Sequence, residues 1–378
     1  MPYNQPHPKI YELLNTTEAN GLIAAAGNVP LDDVVKECRN IKQLIWVVES
    51  TSRHMDWNGS PRGGQATVSV WHDIVETNII KASSDLPTNE SGDVPQGVVI
   101  ATQPTDLSLK PTITTFTHRN LVAATAALIS TIPLRQRLTP ADLVLPASSF
   151  SLSYVLCNTL AALYTHSSLA INSVAAPGVP LKILTRGISP TVIIASAETL
   201  AEVHREEITG LTSAAQKLGK YTQDQTISAG RMPADNWLFS FLAPSPSAAG
   251  NKPGTLRLIL TSERFGSNTP ALSSTMLSDL RVFTRSRICY ALTAPGVAGA
   301  IAQSNVFDYR RKGGSGHAHF GVPLSCVDVK LVNSDDGKLE QSEPVGEGLV
   351  VRGPGVSGGE CRLQGGFRVS EDCTLSYA

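Results

Sequence analysis

Apolar positions recur along this chain in two rhythms, and the elements follow from them. Ile10-Tyr11-Glu12-Leu13-Leu14 spaces its apolar residues for one buried helical face. Gly21-Leu22-Ile23-Ala24-Ala25-Ala26 is a short apolar run, the mark of a buried strand. Residues 31–40 return to helical spacing, and Leu44-Ile45-Trp46-Val47-Val48 to a strand. Strand, helix and strand at these spacings predict a parallel sheet with helical crossovers. Residues 50–67 read as polar loop, 68–76 as a short element and 78–94 as a second loop rich in Ser, Asp, Asn and Pro.

Gly97-Val98-Val99-Ile100-Ala101-Thr102 predicts another buried, β-branched strand. Thr117 is placed to cap a helix with the apolar interior 124–129. Strands are expected at Leu143-Val144-Leu145, Leu169-Ala170-Ile171 and Val192-Ile193-Ile194-Ala195, with helices at 148–162 and 199–212. Residues 218–252 read as irregular. A strand at 255–262, a helix at 272–283 and a strand at 287–294 come next, and then period-two strands at 322–332 and 348–352. The expected fold class is α/β: two parallel-sheet βαβ subdomains with helical crossovers, plus a small β-rich subdomain. The expected bounds are 1–96, 97–312 and 313–378.

Composition narrows the function classes. A chain of 378 residues with 42% hydrophobic and 17% charged content is an ordinary globular protein with a sizeable core. A net charge of −1 gives no electrostatic reason to expect nucleic acid or anionic membrane. The six cysteines form no C-x-x-C pair and suit reduced thiols, which with the absence of any signal-peptide pattern at the N-terminus points to an intracellular protein. Residues 143–181 contain no Asp, Glu, Lys or Arg, but Pro146, Pro177 and Pro180 interrupt them. A core helix is therefore expected there and no transmembrane segment.

Several short motifs occur in an informative order. They are Thr117-His118-Arg119-Asn120, Leu256-Arg257-Leu258-Ile259-Leu260, Tyr290-Ala291-Leu292-Thr293-Ala294, Gly321-Val322-Pro323, Lys330-Leu331-Val332, Gly346-Glu347 and Arg352-Gly353-Pro354. This order resembles the large domain of the AMP-forming acyl-CoA synthetases and adenylation enzymes, most nearly the fatty-acyl type, from about residue 10 to the C-terminus. The resemblance implies a reaction that joins a carboxylate to ATP with Mg²⁺ and then passes the acyl group to CoA. It also implies nucleotide-side roles for Thr102, Thr105, Lys110, Thr117, Tyr290, Thr293 and Glu371, the last standing in for the family's ribose-binding Asp. A second alignment instead places Asp372-Cys373-Thr374-Leu375 on a later turn of the family.

The departures from the pattern are chemical. The family's phosphate loop is glycine-rich because backbone amides must approach phosphate closely, yet residues 102–111 contain no glycine and include Asp106. Ala294 stands where the family has the Glu that holds Mg²⁺, a cation that needs hard oxygen ligands. Ser262-Glu263-Arg264-Phe265-Gly266 is bulkier than the family's Gly-Gly-Ala turn, and the small domain with the family's catalytic lysine has no counterpart within these residues. Either a fragment or a truncated paralogue is expected. The catalytic residues are left unknown, no resident cofactor or metal is assigned, and the expected role is a degenerate domain that binds an acyl ligand, a protein partner or its own copy. The alternatives are an active ligase seen as part of a longer chain and a ligand-sensing domain.

Other patterns are read as structural. Gly353-Pro354-Gly355-Val356-Ser357-Gly358 fits G-x-G-x-x-G but is followed by no helical periodicity. His317 and His319 are expected to share one face of a strand, without a third metal ligand. Arg310-Arg311-Lys312 reads as a solvated basic loop or an anion site, and Cys157 and Cys289 as inert core thiols.

Overall fold

The structure, a computed structural model, describes residues 6–59, 66–78, 97–102, 112–172, 179–209, 214–232, 249–250, 255–267, 271–311, 316–332 and 345–378. The elements named below are those among the described residues. The chain divides into two compact units, Asn4–Pro95 and a larger one running from Gln96 to Ala378.

In the smaller unit the order is α1 (His7–Thr16), β1 (Gly21–Ala25), α2 (Leu31–Glu37), β2 (Gln43–Val47), β3 (Thr67–Val70) and α3 (Trp71–Asn78). The three strands are parallel, with Leu22 opposite Leu44 and Leu44 opposite Val68. Leu22, Leu44 and Trp46 point to one face, where Ile10 and Leu14 of α1 and Val34 of α2 close a core. Ile23, one residue out of phase, is exposed.

The larger unit begins with β4 (Val98–Thr102) and β5 (Thr112–Phe116), followed by α4 (His118–Thr131). Here the sequence reading needs correction. β4 is not a fully buried strand: it pairs antiparallel with β5, Val99 opposite Thr115, and Val98 and Val99 are exposed. The alternation Thr112-Ile113-Thr114-Thr115-Phe116 carries the second strand; its threonines read as loop, although β-branched residues suit a half-exposed hairpin.

Next come β6 (Leu143–Pro146), α5 (Ser153–Tyr164), β7 (Ser168–Leu169), α6 (Leu181–Leu184), β8 (Val192–Ser196), α7 (Ala197–Val203) and α8 (Ala214–Ser228). After them are β9 (Leu258–Arg264), α9 (Ser274–Thr284), β10 (Arg287–Thr293), β11 (Ala302–Gln303) and β12 (Val322–Pro323). These strands form one sheet in the order β12-β11-β10-β9-β8-β6-β7. β7, β6, β8, β9 and β10 run parallel, while β11 and β12 close one edge antiparallel. The central strands are apolar on both faces because helices cover both, the arrangement that near-continuous apolar runs imply. No helix among the described residues is long and apolar enough to cross a membrane.

At the N-terminal ends of the parallel strands, Asp142 lies buried under Arg257. The guanidinium donates to both carboxylate oxygens, at 2.8 and 2.7 Å, and the Thr191 hydroxyl and Thr139 N–H add bonds of 2.7 and 2.8 Å. This ties the starts of β6, β8 and β9 together. The last strands, β13 (Asp328–Val332), β14 (Val345–Arg352), β15 (Glu360–Val369) and β16 (Leu375–Tyr377), make a separate antiparallel meander.

Two further expectations fail. Residues 214–228, read as irregular, form α8, a largely polar helix. It is held by ion pairs, Lys220 to Asp279 at 2.7 Å and Asp224 to Arg311. His317 and His319 lie in a loop and not on a strand. His319 is buried, its Nδ1 accepting from Gly321 N–H at 3.1 Å and its Nε2 lying 3.4 Å from Asp308.

Candidate functional site

Ligands of open parallel sheets sit beyond the carboxyl ends of the strands. At that end of β9 and β10 a narrow slot encloses about 280 Å³ of space open to solvent. Ile100 and Phe116 of the β4–β5 hairpin form one wall, Leu152 before α5 another, and Arg264, Thr293 and Ala294 the floor. The strand register sets this floor, since Thr293 lies opposite Arg264 and the Phe265 N–H continues the ladder to the Thr293 carbonyl at 2.8 Å. Burial pushes the Arg264 guanidinium below its ordinary pKa. The Thr293 hydroxyl donates to the Glu263 carbonyl at 3.0 Å, so it is already used within the sheet. Ala294 offers the slot a methyl group.

Tyr290 does not reach this slot. Its ring is fully enclosed, 4.9 Å from Phe320, which meets Tyr377 edge-on at 5.1 Å. Its hydroxyl donates to the buried Glu263 carboxylate and accepts the Leu272 N–H at 3.3 Å. Burial first, and the Glu263 charge second, raise the Tyr290 hydroxyl well above its ordinary pKa, and the same two causes raise Tyr377. Phe265 extends the cluster, its ring 5.4 Å from Phe367.

Thr117 caps α4. Its hydroxyl accepts the Asn120 N–H at 3.2 Å, and the Asn120 side chain accepts the Thr117 N–H at 2.9 Å, a reciprocal capping box. The Asn120 amide also donates to the carbonyls of Pro354 and Val356, at 2.8 and 3.2 Å. Two of the sequence motifs, Thr117–Asn120 and Arg352–Pro354, are thus two sides of one joint. Gly353 is required in it, because its φ is +128° and a Cβ would stand 2.7 Å from the Cys326 carbonyl. Gly358 and Gly359 lead directly into strand β15, so no dinucleotide-type helix opens there.

Thr102 ends β4 opposite Thr112, while Thr105 and Lys110 lie outside the described residues. Glu371 is exposed in the turn between β15 and β16, and the adjacent Asp372 makes the contacts: Arg310 donates to it, as does the Thr374 hydroxyl at 2.8 Å. Arg310 holds the Asp372 carboxyl well below the usual range. The basic loop is therefore paired and neither solvated nor open to an anion. Arg310 bridges Asp308 and Asp372, and Arg311 holds Asp224 and the Ser278 hydroxyl. Cys157 and Cys289 are core thiols, pushed up to about 12 by burial. Among the described residues no group of His, Cys, Asp and Glu is placed to hold a metal.

Sequence reasoning noticed Glu263 and Arg264 as bulk in a turn but did not find their partners. The signal was available: a charged pair ending an otherwise apolar strand must satisfy itself locally.

No family model matches this chain, and no curated protein matches it either. Solved structures do. An anthranilate CoA ligase, AuaEII, in complex with anthranoyl-AMP superposes with a TM-score of 0.62 at 13% identity, over 99% of this chain and 61% of that one. The fold is that of the AMP-forming acyl-CoA synthetases. The N-terminal domain of FACL13 from Mycobacterium tuberculosis matches with a TM-score of 0.58 at 13% identity, over 99% of this chain and 78% of that one. A benzoate CoA ligase from Burkholderia xenovorans LB400 matches with a TM-score of 0.57 at 13% identity, over 99% and 63%. The chain thus spans about three fifths of the length of the first of these ligases. The sheet, its antiparallel edge and the meander are the shared parts.

The residues at the strand ends do not suit Mg²⁺ and ATP. Ala294 supplies no oxygen, the Thr293 hydroxyl is engaged with Glu263, and the Glu263 carboxylate is turned inward onto Tyr290.

Proposed function

We propose that this chain is an acyl-CoA-synthetase-like domain that has kept the scaffold and does not carry out efficient adenylation, serving instead as a binding or interaction subunit. The observation that supports this best is the closed pairing of Glu263 with Tyr290. A carboxylate and a phenol, each buried and each satisfied by the other, are withdrawn from solvent and from any nucleotide. Ala294 removes the carboxylate that would hold Mg²⁺, and the glycine-free stretch 102–111 removes the amide cradle that phosphate requires.

The acyl side depends on shape and apolar lining and is retained in part. The uncharged residues 143–181 supply α5, whose inner face is packed against the sheet. A fatty-acyl ligand is the class this reading favours. A second reading, a working ligase within a longer chain, draws on the fact that the matched ligase AuaEII extends well beyond the part covered here.

The deciding experiment is carboxylate-dependent release of pyrophosphate from ATP, across fatty acids of increasing length and with CoA present. The expected rate equals that of a Lys110→Ala, Thr293→Ala double variant. Turnover clearly above that control would restore the ligase reading.

A further inference from the structure

α4 and α5 turn a line of apolar side chains outward. Along α4, Val122, Ala126 and Ile129 follow one another at helical spacing, and Leu134 in the next turn continues the line. Along α5, Leu156, Leu160 and Leu163 do the same, with Tyr164 beside them. The outer members are strongly exposed: Val122 67%, Leu134 77%, Leu163 55% and Tyr164 75%. Single exposed leucines are normal on a protein surface, but rows on two packed helices make a patch. A helix facing only water would carry polar residues there. Instead α5 contains no Asp, Glu, Lys, Arg or His, and α4 contains none after Arg119. Between the C-terminal halves of the two helices lies a cavity of about 240 Å³ walled by Leu128, Ile129, Ile132 and Ala161. Leu134 and Tyr164 adjoin that lining along the chain.

We propose that this α4–α5 face docks on the same face of a second copy of the chain, forming a two-fold dimer. Two arguments on the structure select that occupant. The first is charge. A two-fold contact brings a patch against itself, so like charges within it would oppose association, whereas an uncharged apolar face meets its copy without that cost. An anionic lipid surface would instead call for rows of Lys and Arg beside the apolar line, and only Arg119 and Arg135 stand there, at its two ends.

The second argument is area. A helix of 14 residues is about 21 Å long, and two side by side are about 20 Å wide, a footprint of about 400 Å² per copy. Standard stable interfaces bury about 800 Å² per partner, so the footprint suits a weak, reversible dimer and not an obligate one. The cavity gives such a dimer its register: it is a hole beside the protruding Leu134 and Tyr164, which a second copy offers to it. The proposal extends the interaction role above and does not depend on whether adenylation is lost.

The test is sedimentation velocity of the full chain from low to high micromolar concentration, beside a Val122→Glu, Leu163→Glu double variant. Both positions are exposed, so the variant should keep the wild-type circular dichroism and melting temperature; a Tyr164→Lys variant serves the same purpose if it does not. The expected result is a wild-type chain that moves from monomer to dimer with concentration and a variant that stays monomeric. A wild-type chain monomeric at the highest concentration would overturn the proposal. So would dimerisation unchanged in both variants, or open-ended aggregation. Co-sedimentation of wild type, but not variant, with phosphatidylcholine vesicles would assign the face to lipid and overturn it as well.

Discussion

Asp142 and Arg257 are 115 positions apart, yet they hold the starts of three strands at one point. Burial of Asp142 raises its pKa, but hydrogen bonds from Arg257, Thr191 and Thr139 outweigh burial and lower it to about 2. An unfolded aspartate titrates near about 3.9, so the folded carboxyl contributes stability that is fully present above about pH 4. That contribution is lost as pH falls from about 4 through about 2. A displacement of roughly two units corresponds to about 2 kcal/mol. Asp142→Asn also leaves the partly buried guanidinium without its charge partner. It should destabilise the fold by about 2–3 kcal/mol at neutral pH, less than for a fully buried pair because Arg257 keeps some solvent. Urea unfolding of wild type and variant at pH 7 and pH 2.5 checks this. The gap should narrow markedly in acid, and an equal gap at both values would show that the carboxylate is not its source.

At the scale of elements, what the sequence revealed depended on how each element is held. Strands β8, β9 and β10 and helix α9 are buried through their side chains, and apolar runs announced them within a residue or two. The Thr117 cap was equally legible, because a hydroxyl before an apolar periodic run has one common use. α8 escaped because it docks through charge. Leu218 and Tyr221 are exposed, and its hold on α9 and the loop at Arg311 consists of Lys220 on Asp279 and Asp224 on Arg311, with His204 sharing Asp279 at 3.0 Å. Ion pairs across 59 and 87 positions leave no periodic trace. Partly exposed pairs of this kind contribute about 1 kcal/mol and weaken with salt. Asp224→Asn should therefore speed amide hydrogen exchange in α8 by about fivefold while leaving β8 to β10 unchanged. Added salt should do the same to wild type. If α8 and the central strands respond together, the helix is not a separately opening element.

For the whole molecule, the order of motifs carried the fold, and the same motifs misled about the site. Thr117–Asn120 and Arg352–Pro354 survive because they grip each other. Tyr290 survives as the core of an aromatic cluster, and Thr293 as a rung beside Glu263. Motif spacing reports the scaffold, while ligand binding depends on which groups remain unspent, and that needs side-chain partners that sequence spacing does not give. Binding is accordingly the property that separates the readings. A ligand at 100 times its dissociation constant stabilises the native state by about 2.7 kcal/mol, a shift of several degrees in melting temperature. Mg-ATP has lost the Glu at Ala294 and the glycines of 102–111, and Asp106 adds a repelling charge. Losing two charge-assisted bonds of about 1.5–3 kcal/mol each moves a micromolar site to the millimolar range. An acyl chain needs apolar surface, not those charges. Titration of melting temperature should show no saturable response to Mg-ATP or AMP, and a saturable rise with a long-chain fatty acid that grows with chain length. A saturable rise with micromolar Mg-ATP would mean that Glu263 and Tyr290 open to admit the nucleotide, and the ligase reading would replace the degenerate one.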